Sequence, residues 1–207
     1  MSREVVLERV RKALSADKSD AAPISVSYRR TGALSVEDRL RLLEERLREY
    51  DARVFRCSEA ALARQIADVL SGNAKQNMVH PAEVPSHWLD PRITWTPDSG
   101  NLSYSEIEVF EGVLSGATVA VAESGSIILQ HGPIEGRRAL TLLPDYHLCV
   151  LFESQVVETL PECFERLKHS ATRPITFVSG PSATADIEMT RIKGVHGPRF
   201  LDVILVG

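Results

Sequence analysis

Three short stretches of the chain carry the residue types from which a small-molecule site is built. The longest is Ile175-Thr176-Phe177-Val178-Ser179-Gly180-Pro181-Ser182-Ala183-Thr184-Ala185-Asp186-Ile187-Glu188, where an apolar run gives way to small and hydroxyl residues. Gly180 lets the backbone turn or come close to a ligand. Ser182 or Thr184 can cap a following helix, and the free amides of that helix would face an anion. The Gly-Lys-Ser/Thr ending of a Walker loop is missing. Asp186 and Glu188 would already complement the helix dipole and would repel a phosphate beside them. A ligand loop that uses Ser179, Gly180, Ser182, Thr184 and Asp186 and an ordinary capped connection both fit this stretch.

The second stretch is Ala122-Glu123-Ser124-Gly125-Ser126. A carboxylate between two apolar strands is costly unless solvated or paired. Glu123 therefore either points outward from a tight turn or acts as a nucleophile or general base. In the third, Gln130-His131-Gly132-Pro133-Ile134-Glu135-Gly136-Arg137-Arg138, a glycine-shaped loop is followed at once by two arginines. A guanidinium fork binds carboxylate or phosphate bidentately, so Arg137 and Arg138 are a candidate anion clamp. Surface arginines at a helix start would look the same, although cations there are mildly unfavourable, by a few tenths of a kcal/mol. His196, between Gly194-Val195 and Gly197-Pro198, is either a group that titrates near neutral pH or a turn residue. The other histidines have no i,i+4 partner and no HExxH context, which argues against a metal site.

The elements that must hold these loops follow from hydrophobic spacing. Val6, Val10 and Leu14 mark a helix over residues 4–14. Residues 15–34 are polar, contain Pro23 and Gly32, and read as a linker or loop. Ser35, with Asp38 three residues on, opens a second helix with the seam Leu40, Leu43, Leu47 and Tyr50. Residues 1–50 thus form a helical arm and linker, and residues 51–207 an α/β domain. In that domain strands are expected at 53–55, 77–79, 93–95, 117–122, 126–129, 147–152, 175–178 and 203–206. Helices are expected at 58–70, 104–114, 161–169 and 185–191. Alternation of this kind argues for a mostly parallel sheet covered on both faces, in a three-layer α/β/α arrangement. In such sheets ligands sit at the carboxyl ends of the strands. The expectation is that Glu123, Arg137 and Asp186 meet around one cavity there.

The 207 residues are 43% hydrophobic and 25% charged, with net charge −4, ordinary for a soluble globular protein. That balance disfavours a dedicated nucleic-acid binder. No apolar run is long enough to span a membrane, and the N-terminus lacks the apolar core of a secretory signal. Cys57, Cys149 and Cys163 form no CxxC pair and read as reduced cytosolic thiols, with Cys149 a buried small hydrophobe. Metal redox chemistry carried by this chain, or a cofactor of its own, is not expected.

The combined motifs resemble the LUD-domain family, in its lactate-utilisation protein C branch. They are Glu123-Ser124-Gly125-Ser126, Gly136-Arg137-Arg138 with Leu142-Leu143-Pro144 and His147, the segment from Ser179 to Glu188, and Gly194-Val195-His196-Gly197-Pro198. The resemblance covers most of residues 53–207. It implies a fold related to sugar-phosphate isomerases and coenzyme A transferases, and a bacterial cytoplasmic role in oxidising L-lactate to pyruvate beside iron–sulfur partner proteins. The clusters would belong to those partners, and this chain would handle a small anionic metabolite. Self-association into a homo-oligomer is left open. Ala183 stands where family members often carry arginine or lysine, which weakens the anion reading of that loop. Two alternatives remain: a stand-alone coenzyme A transferase-like enzyme in which Glu123 attacks an acyl thioester, and a binding module for a phosphorylated metabolite.

Overall fold

The two longest buried apolar runs, Tyr146–Phe152 (β7) and Phe200–Val206 (β12), lie side by side in the computed structural model. The structure describes residues 3–16, 27–168, 173–185, 191–193 and 197–207. The two strands form the middle of a six-stranded sheet in the order β1 (Arg53–Cys57), β12, β7, β4 (Gly112–Ser115), β2 (Asn77–Pro81), β3 (Thr94–Asp98). Every pairing in it is parallel, as the alternating sequence pattern predicts.

Strand side chains alternate between faces, and each face has its own cover. Tyr146, Leu148 and Val150 of β7 pack with Leu62, Ile66 and Leu70 of α3 (Leu62–Gly72) and with Trp88. Cys149 and Leu151 turn the other way and meet Leu40, Leu43 and Leu47 of α2 (Val36–Glu49). Ser35 caps α2 as expected, its hydroxyl accepting from the Asp38 amide at 3.1 Å. Burying three leucines contributes on the order of 6 kcal/mol, so this helix of the expected arm is built into the body. The first helix, α1 (Arg3–Ala16), differs: Val6, Val10 and Leu14 remain exposed, Leu14 by 67%.

Beside α2 lies a second, four-stranded sheet in the order β8 (Val156–Val157), β5 (Val119–Val121), β6 (Ser126–Leu129), β9 (Thr176–Val178). Its inner residues Ala120, Ile127 and Leu129 join the α2 cluster. Its outer residues Val119, Val121 and Ile128 pack on Cys163 and Leu167 of α5 (Leu160–Leu167). The strand expectations for 117–122, 126–129 and 175–178 thus hold, but these strands pair with one another antiparallel and not within the parallel sheet.

Two helix expectations need correction. The helix over 104–114 stops as α4 (Tyr104–Glu108), because Val113 and Leu114 are taken into β4 between β7 and β2. The capping box of Ser103 and Glu106 starts the helix, and strand burial overrides its continuation. Of the helix expected over 185–191, the two end residues lie in strands instead: Ala185 closes β10 (Ala183–Ala185) and faces Arg191, which opens the antiparallel partner β11 (Arg191–Lys193), while residues 186–190 lie outside the described residues. Thr184 and its ladder partner Ile192 are both β-branched, which favours strand pairing there. Thr184 therefore sits inside a strand and does not cap a helix starting at Ala185.

Candidate functional site

Arg137 and Arg138 do not form a clamp. Arg137 has extended backbone (φ −67, ψ 150), so the two successive side chains leave on opposite sides. Arg137 donates from Nε to Asp98 Oδ2 at 2.8 Å and from Nη2 to Oδ1 at 3.1 Å, and also to the Leu102 carbonyl. Asp98 is the last residue of β3, with a side chain only 1% exposed. Burial pushes its carboxyl up, but the Arg137 guanidinium and the amides of Leu102 and Gly100 outweigh that and hold it below the usual carboxylate range. This arginine lines an open hollow of about 500 Å³ with Pro81, His131 and Arg173 at the carboxyl ends of β2 and β3.

Arg138 faces a smaller hollow of about 240 Å³, shared with Thr141, Leu142, His147, Thr176, Ser179, Gly180, Ser182, Gly197 and Pro198. It lies where β9 approaches His147 and Leu201, the second residues of β7 and β12. The site is thus at the amino ends of those parallel strands and not at the expected carboxyl ends. Arg138 makes no side-chain hydrogen bond or ion pair among the described residues, whereas its neighbour is fully engaged.

The walls of this hollow are locked locally. Gly180 has φ +91, and a Cβ there would sit 2.4 Å from Tyr50 Cβ at the end of α2. The Ser182 amide donates to the Pro198 carbonyl at 2.7 Å, clasping two chain segments. Ser179 is tied to Ser126 by a 2.7 Å hydroxyl contact, and Ser124 donates to Ser126 at 2.9 Å. Thr176 is hydrogen-bonded to His131 Nε2 at 2.9 Å. His131 itself is held at φ +55, a strained conformation for a non-glycine residue, with Nδ1 on the Gly136 carbonyl at 3.2 Å. Three of the four motifs that carried the family resemblance, those of Arg138 with Leu142 and His147, of Ser179 and of Gly197, therefore converge on one cavity.

His147 is the residue the sequence reading left without a site role. It is 2% exposed, and its Nε2 lies 2.7 Å from Ser115 Oγ on the neighbouring strand β4. Burial lowers its pKa to about 4, so the ring is neutral at physiological pH. The available signal was a histidine inside a buried apolar strand, His147-Leu148-Cys149-Val150-Leu151.

Glu123 sits in the turn between β5 and β6, with a side chain 43% exposed and ion-paired to Arg29. Arg29 also bonds buried Glu158 at 2.8 Å, and Glu158 accepts from the Leu34 amide at 2.7 Å. Glu123 so helps strap the segment before α2 onto the body. Gly125 in the same turn has φ +60, and a Cβ there would meet Arg46 Cβ at 2.6 Å. Glu123 borders its own hollow with Arg29, Thr159 and Pro161, lined by none of the residues around Arg137 or Arg138. The expected meeting of Glu123 with Arg137 does not occur. Arg138, Ser179, Gly180 and Ser182 are brought together, Thr184 lies on β10, and Asp186 and His196 lie outside the described residues. The acyl-transfer reading requires a free Glu123 carboxylate, and here that group is paired.

Among the described residues, no group of three or more His, Cys, Asp or Glu side chains is placed to hold a metal ion. Burial pushes the Cys149 thiol up to about 12 and the Cys163 thiol up to about 11, and also raises Cys57. None of the three is a ready nucleophile.

A parallel α/β body with a mixed four-stranded side sheet and an arginine–histidine hollow where they meet defines the fold, and a family model gives its class. Residues 106–206 match the LUD domain, and the chain belongs to this family. It is 41% identical over 204 residues to lactate utilization protein C of Deinococcus radiodurans, an alignment covering 98% of this chain and 94% of that relative. Lactate utilization protein C of Bacillus subtilis is 28% identical over 118 residues, covering 54% of this chain and 49% of the relative. The crystal structure of a DUF162 family protein from Deinococcus radiodurans superposes with a TM-score of 0.74 at 38% identity, covering 84% of this chain and 100% of that one.

Proposed function

We propose that this chain is a substrate-handling subunit of a cytoplasmic system that oxidises L-lactate to pyruvate, and that the Arg138 hollow receives the small 2-hydroxy acid. The observation that carries the reading is a guanidinium with no carboxylate partner among the described residues, facing a cavity lined also by a buried, neutral histidine. A guanidinium in that position recognises a carboxylate as a planar fork. A volume of about 240 Å³ suits a molecule of a few heavy atoms, below the ~300–1,000 Å³ range of sites for larger ligands. The hydroxyls of Thr141, Thr176 and Ser179 give the walls a polar surface around it.

The redox centres are assigned to iron–sulfur partner proteins, since the thiols here are few, scattered and protonated. The names of the similar proteins, lactate utilization protein C, support lactate as the metabolite. Among the described residues no helix is long and apolar enough to cross a membrane, which fits a subunit that meets a dissolved substrate.

Calorimetric titration with L-lactate tests the reading directly. Saturable binding to the native chain, weakened at least about tenfold in Arg138→Ala, is the expected result. Absence of binding, or equal binding to the variant, removes the hollow from the function. A strain lacking the chain should also fail to grow on lactate, and normal growth would sink the pathway assignment.

A further inference from the structure

The hydrogen bonds beneath the hollow assign the protons of His147. Ser115 Oγ has one hydrogen and two contacts, the Gly116 carbonyl at 3.0 Å and His147 Nε2 at 2.7 Å. The carbonyl can only accept, and the hydroxyl hydrogen is directed to it, beside the weaker Cys149 thiol contact at 3.8 Å. Nε2 must then donate to Ser115, and in the neutral ring this leaves Nδ1 as a bare lone pair. No protein donor reaches Nδ1 among the described residues. Nor is it a sealed-off unpaired atom, a status held in the structure by Arg39 Nε. His147 lines the Arg138 hollow, and with Nε2 held by Ser115 the ring nitrogen left to meet a ligand there is Nδ1.

We infer that His147 is the specificity-determining residue of the Arg138 hollow: its Nδ1 lone pair accepts a hydrogen bond from the ligand's hydroxyl, selecting 2-hydroxy acids over 2-oxo acids and unsubstituted carboxylates. This rests on the reading of the hollow as a small-carboxylate site and adds what is recognised next to the carboxylate. A hydroxyl supplies the hydrogen that Nδ1 lacks. A ketone oxygen in the same place sets two lone pairs against each other, and an alkyl carbon leaves the ring nitrogen unpaired. Sites built around a substrate hydroxyl reject analogues that lack it, because the buried partner is then stranded.

The test is a titration series with L-lactate, pyruvate and propionate on the native chain, Arg138→Ala and His147→Phe, together with ¹⁵N spectra of the native histidine rings. The expected result is L-lactate bound at least roughly tenfold tighter than the other two acids. That difference should collapse in His147→Phe, while all three acids weaken in Arg138→Ala. In the spectra Nε2 of His147 should be protonated and Nδ1 not, a readout that needs no variant and stands even if His147→Phe fails to fold. Equal binding of the three acids to the native chain overturns the role of His147 and leaves the carboxylate site standing. Tighter binding of pyruvate, or a protonated Nδ1, overturns the lone-pair assignment. No binding of any of the three overturns the reading of the hollow, and the inference with it.

Discussion

Two arginines adjacent in the chain end in opposite circumstances. Arg137 closes on the buried Asp98 carboxylate at the tips of β2 and β3, and its hollow is wide and open. Arg138 turns to the other side, into a cavity half that size whose floor is a neutral histidine. In the first region the charge is spent on holding the fold, since a buried carboxylate must be matched. In the second the polar groups are held in place by neighbours but their charge is not cancelled. A guanidinium left unpaired among the described residues, beside a cavity whose other walls are fixed, marks a binding site better than charge alone.

The largest expected effect lies on the Arg137 side. Arg137→Ala leaves Asp98 buried without its partner and should cost about 3–5 kcal/mol in urea unfolding. A loss below about 1 kcal/mol would erase the contrast. The next concerns the histidine. Its pKa is depressed from 6.5 to about 4 in the folded state, so between those values the unfolded chain takes up a proton that the folded chain refuses. Stability should therefore fall as pH drops from about 6.5 to about 4, by up to about 3 kcal/mol from this group. His147→Phe should flatten that part of the stability–pH curve, and an unchanged slope would show that the ring is not buried as a neutral base.

Smaller effects sharpen the comparison. Glu123→Ala removes an exposed pair with Arg29 and should cost less than about 1 kcal/mol without weakening lactate binding. A collapse of binding would return Glu123 to the site. Arg138→Ala should change stability least, within about 0.5 kcal/mol by thermal denaturation, while removing ligand affinity. Two neighbouring arginines would then separate cleanly into one that unfolds the protein and one that disarms it.

Much of this was legible in the chain. The stretches Leu148–Leu151 and Val203–Val206 are apolar on both faces and read as buried strands of a parallel sheet. Ser35 and Asp38 announced α2 from local chemistry alone. What local pattern cannot carry is partnership. Val119–Val121 and Ser126–Leu129 read correctly as strands, yet nothing in them says that they pair outside the main sheet. The same holds for the site. Arg138, Ser179, Gly180 and Ser182 stood out by type and do share a hollow, but Arg137 looked equivalent to Arg138 until Asp98, some 39 positions away, claimed it. His147 went unassigned because its tautomer depends on Ser115, 32 positions distant. At the ends of the helix expected over 185–191, Ala185 and Arg191 are paired in a ladder whose partners are not visible in the local pattern.

The state of the cysteines has a consequence of its own. With Cys163 near 11 and Cys149 near 12, about one Cys163 thiol in ten thousand, and fewer at Cys149, is ionised at neutral pH. Sulfenic acid formation and mixed-disulfide exchange both begin with the anion, so peroxide and glutathione disulfide find almost nothing to attack at these two positions. A subunit proposed to work beside electron carriers would thus tolerate the oxidants that leak from them.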